Sequence, residues 1–181
     1  MEFYQEPEVN RLHSVISWIV DLIVVIALAI FMVYAFGEQV EVSGGSMSPV
    51  LSSGDVVLVN RLSYDLGSPQ RFDIAVFSNG SSYNIKRIIG LPGESVQIAD
   101  NRIWIDGRPL EADHNLELSS IAGLAENPVE LSDSEYFLLG DNRESSEDSR
   151  FAGIGNVNEN QLVGKVWLRF QPFSRLGFLP Y

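Results

Sequence analysis

In Gly44-Gly45-Ser46-Met47-Ser48-Pro49 a serine stands directly behind two glycines. Glycine opens backbone angles that other residues avoid and lets a second chain approach closely, and Pro49 stiffens the exit, so Ser46 is presented as a fixed, accessible hydroxyl. Acyl transfer needs such a group, provided that a neighbouring base takes its proton. Alone, the hexapeptide is more economically an ordinary turn. The base is sought in Tyr83 to Ile89, where Lys86 and Arg87 interrupt a segment otherwise suited to burial. Strand alternation sends the two cations to opposite faces, so one of them is expected to meet the interior. A lysine there loses proton affinity because burial penalises its charged form, and a neutral amine is a general base. Arginine stays protonated, which leaves Lys86 as the candidate base and Arg87 as an ion-pair partner. In isolation this segment is more economically an edge strand with two solvated cations. A third polar segment, Gly140-Asp141-Asn142-Arg143-Glu144-Ser145-Ser146-Glu147-Asp148-Ser149-Arg150, follows the apolar run Tyr136 to Leu139.

These groups need a rigid frame. Gly54-Asp55 opens the β-branched run Val56 to Asn60, and comparable runs recur at Phe72 to Phe77, Tyr83 to Ile89, Ser95 to Ile98, Arg102 to Ile105, Tyr136 to Leu139 and Leu162 to Phe170. Each is short, apolar or alternating, and bounded by Gly, Pro, Asn or Asp, which predicts a mainly β domain: an antiparallel sheet or barrel-like body. Residues 106–133 are acidic and irregular, and read as a small insertion with a solvated face and no chemistry.

Upstream, Val15 to Phe36 is the one long apolar run, long enough to cross a hydrocarbon core of about 30 Å as a helix. Its single charge, Asp21, lies towards the N-terminal end, with Trp18 and Tyr34 suited to the two interfaces. Ala27-Leu28-Ala29 resembles the cleavage site of a secretory leader, but the apolar run continues past it and the preceding residues Glu2, Glu6 and Glu8 are acidic where a leader is basic. An uncleaved anchor is expected: a tail at 1–14, a transmembrane helix at 15–36 and an extracytoplasmic domain at 37–181. Arg11 precedes the helix and no Lys or Arg follows until Arg61, which orients the N-terminus towards the cytoplasm.

The formal net charge of −12 argues against a nucleic-acid partner. The absence of cysteine removes disulfides, thiol nucleophiles and thiolate metal sites, and the two histidines, His13 and His114, are far apart. Neither a cofactor nor a metal is expected.

Together the polar segments resemble the type I signal peptidases, membrane-bound serine proteases with a Ser/Lys dyad. The resemblance rests on Ser46-Met47-Ser48-Pro49, Gly54-Asp55, Lys86-Arg87-Ile88-Ile89-Gly90-Leu91-Pro92-Gly93 and the run Gly140 to Arg150, in that order behind an N-terminal anchor. It implies Ser46 as nucleophile and Lys86 as the base that later returns its proton to the leaving amine. It further implies that Ser146 orients the lysine by hydrogen bonding, that Asp148 and Arg150 buttress the site, and that Asp141 pairs with Arg87. Val42, Met47, Leu51 and Ile85 align with a shallow apolar pocket for small side chains, hence cleavage after Ala-x-Ala, and the implied partners are exported preproteins and the lipid bilayer. Two departures are visible. Gly44 stands where some relatives carry a hydroxyl that serves as an oxyanion donor, so a serine there is expected to supply one, and Glu94 replaces an aspartate.

Three other readings compete. A Ser-His-Asp hydrolase would need His114, which sits in the irregular acidic stretch with no motif around it. A repressor-type autoprotease would share the dyad but carry a DNA-binding module in place of the apolar run. A catalytically silent, membrane-anchored binding domain would have no need of Ser46, Lys86 and Ser146 together. The aromatic, acid-free stretch Trp167 to Tyr181 reads as a final core strand continued by an apolar rim at the bilayer surface.

Overall fold

The computed structural model describes residues 11–80, 82–111 and 121–179. His114 and the middle of the acidic stretch lie outside the described residues.

Helix α1 (Arg11–Phe36) is built of Ile, Val, Leu, Ala and Phe with no Pro or Gly to interrupt it. Its span His13–Met32 has a mean hydropathy of 2.8 and no burial against the rest of the chain, and is long and apolar enough to cross a membrane. The body that follows is built from antiparallel strands. They are β1 (Glu38–Glu41), β2 (Val56–Asn60), β3 (Ile74–Asn79), β4 (Ser82–Gly90), β5 (Ser95–Ala99), β6 (Arg102–Ile105), β7 (Arg108–Pro109), β8 (Val129–Glu130), β9 (Glu135–Leu139), β10 (Val157–Asn158), β11 (Leu162–Gln171) and β12 (Gly177–Phe178), with one short helix, α2 (Leu62–Asp65).

The larger sheet runs β1-β2-β11-β3-β4-β9-β10, with β12 on β11, and the smaller runs β7-β6-β5-β8. All pairs are antiparallel. The barrel-like part of the expectation has no counterpart in this order, which is an open path from β1 to β10. The fold is therefore two antiparallel sheets and one N-terminal apolar helix.

Three apolar clusters hold the sheets together. One joins Val57, Val59, Ile74, Val76, Ile85 and Val166 to Val42, Met47 and Leu51 of the loop that carries Ser46. A second packs Val96 and Ile98 of the small sheet on Ile89, Phe137 and Leu139. The third gathers Ala75, Phe77, Ile88, Tyr136, Leu138 and Val157. No described residue of α1 belongs to any of them, so the body has its own core.

Strand β4 lies between β3 and β9. From Ile85 to Gly90 every residue is buried, because both faces are covered. The expectation that only one of Lys86 and Arg87 would face the interior is thus corrected: both do, at 5% and 2% exposure. A strand with two covered faces has no solvent side to offer.

Candidate active site

The loop from Val42 to Asp55 is closed at its neck by Val42 N–H to the Asp55 carbonyl (2.8 Å) and Gly54 N–H to the Val42 carbonyl (2.9 Å). Within it, Leu51 N–H bonds the Met47 carbonyl (2.8 Å) and Ser48 N–H the Gly45 carbonyl (3.1 Å), forming a compact turn. Met47 and Leu51, at 1% and 0% exposure, pin this turn into the core. Ser46 is left half-buried at its tip.

Lys86 Nζ donates to Ser46 Oγ at 2.8 Å, across forty residues of sequence. Burial lowers the lysine pKa below its ordinary value, and the negative charges of Asp148 and, after it, Glu147 oppose that shift. A lysine held closer to neutrality, in contact with a serine hydroxyl, can accept that hydroxyl's proton.

The segment 140–150 packs behind the pair. Asn142 N–H donates to the Ser46 carbonyl at 2.9 Å, fixing the Ser46 backbone. A Cβ on Gly140 would lie 2.2 Å from Ser146 Oγ and 2.5 Å from the Ser46 carbonyl oxygen, so only glycine lets these chains meet. Asp148 and Arg150 are fully buried and joined at 2.7 Å, Nε to Oδ1. The second Asp148 oxygen accepts from Gly140 N–H at 3.0 Å, and Arg150 Nη2 also donates to the Arg143 carbonyl at 2.8 Å. Arg87 grips Asp141 with two bonds, 2.8 and 2.7 Å, and donates to the Phe72 carbonyl at 2.9 Å. Arg143, buried beside Arg150, has its pKa lowered to about 10, by desolvation first and by the Arg150 charge second.

Two of the expected roles look different in place. Ser146 is 7% exposed, but its Oγ has no hydrogen-bond partner among the described residues, so the bond to Lys86 implied by the resemblance is absent. Its side chain is packed against Gly140 instead. The groove beside the serine is lined by Val40, Val42, Met47, Tyr83, Asn84 and Ile85, together with Glu41, Ser43, Ser46 and Lys86. Val42, Met47 and Ile85 therefore line this groove, while Leu51 lies beneath it in the core cluster. Tyr83 and Asn84, missed from the sequence, were signalled only by their place in the strand that carries Lys86.

Gly44 also has a structural explanation. Its φ of +82° is a backbone angle that disfavours any side chain, and a Cβ there would meet nothing within 4 Å. The missing hydroxyl follows from the turn.

The model of the family described as "Signal peptidase, peptidase S26" matches residues 15–171. The signal peptidase I of Bacillus caldolyticus is 36% identical over 177 residues, covering 89% of this chain and 92% of that protein. The signal peptidase I of Leptolyngbya laminosa is 36% identical over 170 residues, covering 88% and 80%. The chain belongs to the signal peptidase I family. A crystal structure of a signal peptidase I from Enterococcus faecalis matches at 33% identity with a TM-score of 0.44, over 54% of this chain and 96% of that one. Kinship with signal peptidases supports hydrolase activity of the general signal-peptide-cleaving kind, and the apolar helix agrees with membrane anchoring.

Proposed function

We propose that this signal peptidase homologue is a membrane-anchored serine endopeptidase that removes signal peptides from exported preproteins, cleaving after Ala-x-Ala with Ser46 as nucleophile and Lys86 as general base. The observation that carries the reading is the 2.8 Å contact between Lys86 Nζ and Ser46 Oγ, made by a lysine that is 5% exposed. In its neutral form the amine accepts the Ser46 proton as Oγ attacks the scissile carbonyl. The resulting ammonium donates to the leaving amine, and the neutral lysine then activates the water that hydrolyses the acyl-enzyme. The Ser46 N–H stabilises the oxyanion. Val42, Met47 and Ile85 wall a groove that admits a small side chain, and Asp148, Arg150 and Ser146 hold the nucleophile loop from behind.

In this reading residues 1–14 form a cytoplasmic tail, 15–36 the membrane span and 37–181 an extracytoplasmic peptidase domain. The test is cleavage of an exported precursor by the detergent-solubilised protein. Ser46→Ala should abolish it and Lys86→Ala should cut it by about 10²–10⁴-fold, whereas His114→Ala should stay near wild type. A dead His114→Ala with an active Lys86→Ala would replace the dyad with a His-based site. Because the chain has no cysteine, single cysteines at Glu2 and Asp133 report orientation cleanly: an impermeant thiol reagent added to intact cells should label only the second.

A further inference from the structure

From Leu162 onwards the chain carries no acidic residue, yet its two arginines converge on a buried carboxylate in the nucleophile loop. Asp55 is 3% exposed and caps the loop by accepting from Ser52 N–H at 3.0 Å. Arg169 and Arg175 each place Nη1 at 3.6 Å from it. Arg169 Nη1 also donates to the Val50 carbonyl at 2.8 Å. Arg175 Nη1 donates to Ser52 Oγ at 3.0 Å and its Nη2 to the Pro49 carbonyl at 3.4 Å. Finally, Arg169 Nε donates to the carbonyl of Arg175 at 2.7 Å, tying the two arginines into one strap. The loop that presents Ser46 is therefore held on two sides: by Asn142 N–H at the Ser46 carbonyl, and by this strap on residues 49, 50, 52 and 55.

We propose that the C-terminal segment Arg169 to Arg175 is a positioning strap for the nucleophile, with Arg175 as its key residue. The proposal rests on Ser46 being the nucleophile. Arg175 lies outside the residues 15–171 that the family model matches. The physical reason is leverage. Proton transfer to Lys86 depends on the Ser46 Oγ position, and a displacement of about 1 Å can cost up to about 10²-fold in rate. Residues 49–52 follow the nucleophile directly, and without the strap their carbonyls and the Ser52 hydroxyl lose fixed donors. None of the residues that the strap touches lines the substrate groove, so the effect falls on the chemical step and leaves binding alone.

The experiment measures kcat and KM for the full chain in detergent on a precursor-derived peptide, with melting temperature alongside. Arg175→Ala is expected to lower kcat about tenfold with KM within about twofold. Arg175→Lys, which keeps a charge opposite Asp55 but loses the two-pronged grip on Ser52 and Pro49, should fall between. Ser52→Ala should lower kcat in the same sense, and the Ser52→Ala/Arg175→Ala double variant should be no worse than Arg175→Ala, since the bond that Ser52→Ala removes is already lost in Arg175→Ala. A merely structural arginine would lower the melting temperature at unchanged kcat per folded molecule. Wild-type kcat in Arg175→Ala, a KM rise at constant kcat, or additive losses in the double variant would overturn the proposal. If Arg175→Ala does not fold, Arg175→Lys and Ser52→Ala decide, and wild-type kcat in both overturns it. Ser46→Ala separates the two levels. Residual cleavage there removes the nucleophile assignment and the strap with it, while an inactive Ser46→Ala beside an unaffected Arg175→Ala removes the strap alone.

Discussion

Lys86 is the proposed general base, and its burial has two measurable signs. Because desolvation lowers its pKa, the base becomes available at a lower pH than ordinary lysine allows, and activity should rise with pH as the buried amine loses its proton. Removing the exposed Glu147 carboxylate, which opposes that shift, should move the acidic limb of the rate profile to lower pH, and more so at low salt. An unmoved limb in Glu147→Gln would mean that another group titrates. The stability sign follows from the same shift. Between the lowered folded pKa and the ordinary value of about 10.5 an unfolded lysine is protonated while Lys86 in the folded chain is not, so folding loses stability as pH falls through that window and no further below it. Lys86→Met should therefore be inactive yet melt higher than wild type at pH 7, with the gap closing towards pH 10.5; a gap independent of pH would contradict this. At this scale the sequence was legible where one residue violates its local pattern, as a lysine does in an apolar strand. It was not legible where depth matters: that Arg87 is buried as well depends on β9, fifty residues away, and that Leu51 lies under the groove depends on how the loop folds back on Met47.

At the scale of elements, most strands could be read because half-buried antiparallel strands write their alternation into the sequence, as in β2, where Val57 and Val59 are buried and their neighbours are not. Strand β1 escaped because Glu38-Gln39-Val40-Glu41 is an edge strand without an apolar face; its pairing with β2 makes it a strand. The acidic stretch also proved to be more than a solvated face. Its described end supplies the Ile121 carbonyl to Arg150 Nη1 at 3.0 Å and Leu124 N–H to the Arg150 carbonyl at 2.8 Å, lidding the buried ion pair. Asp148→Ala would strand Arg150 without its carboxylate in that setting, a loss of about 3–5 kcal/mol that should appear as a large drop in urea midpoint. The contact at Gly140 makes a different prediction. Gly140→Ala puts a methyl 2.5 Å from the Ser46 carbonyl and 2.5 Å from Ser146 Cβ, so either the nucleophile loop or the 140–150 turn must move. Overpacking of this kind destabilises by about 1–3 kcal/mol, but the displaced Ser46 should lower kcat by up to about 10²-fold. Wild-type kcat in Gly140→Ala would show that the two segments adjust without disturbing the dyad.

For the whole molecule, the charge balance and the apolar helix bear on where the proposed catalysis would happen. The chain carries a formal charge of −12, yet its last twenty residues contain no acid and three cations. That segment also holds exposed apolar side chains: Phe173 at 70%, Leu176 at 54% and Phe178 at 75% exposure, with Phe178 against Trp167 at a ring separation of 5.8 Å. Helix α1 delivers the chain into β1 after Gly37, and β1, β2, β11 and β12 are neighbours in the larger sheet, so the anchor's exit and this apolar rim share one side of the order. With about ten residues from Phe36 to Ser46, each spanning at most about 3.3–3.6 Å, Ser46 stays close to the end of α1. An apolar rim beside the apolar helix fits a lipid surface. Since no described α1 residue enters the three core clusters, the domain from residue 37 onwards should fold without its helix. That fragment should co-sediment with phosphatidylcholine vesicles and keep its peptide cleavage, and changing Leu176 and Phe178, which lie beyond the strap, to serine should abolish co-sedimentation while leaving cleavage of soluble peptides intact. Absent binding by the fragment, or undiminished binding by the double serine variant, would mean that α1 alone holds the enzyme at the membrane.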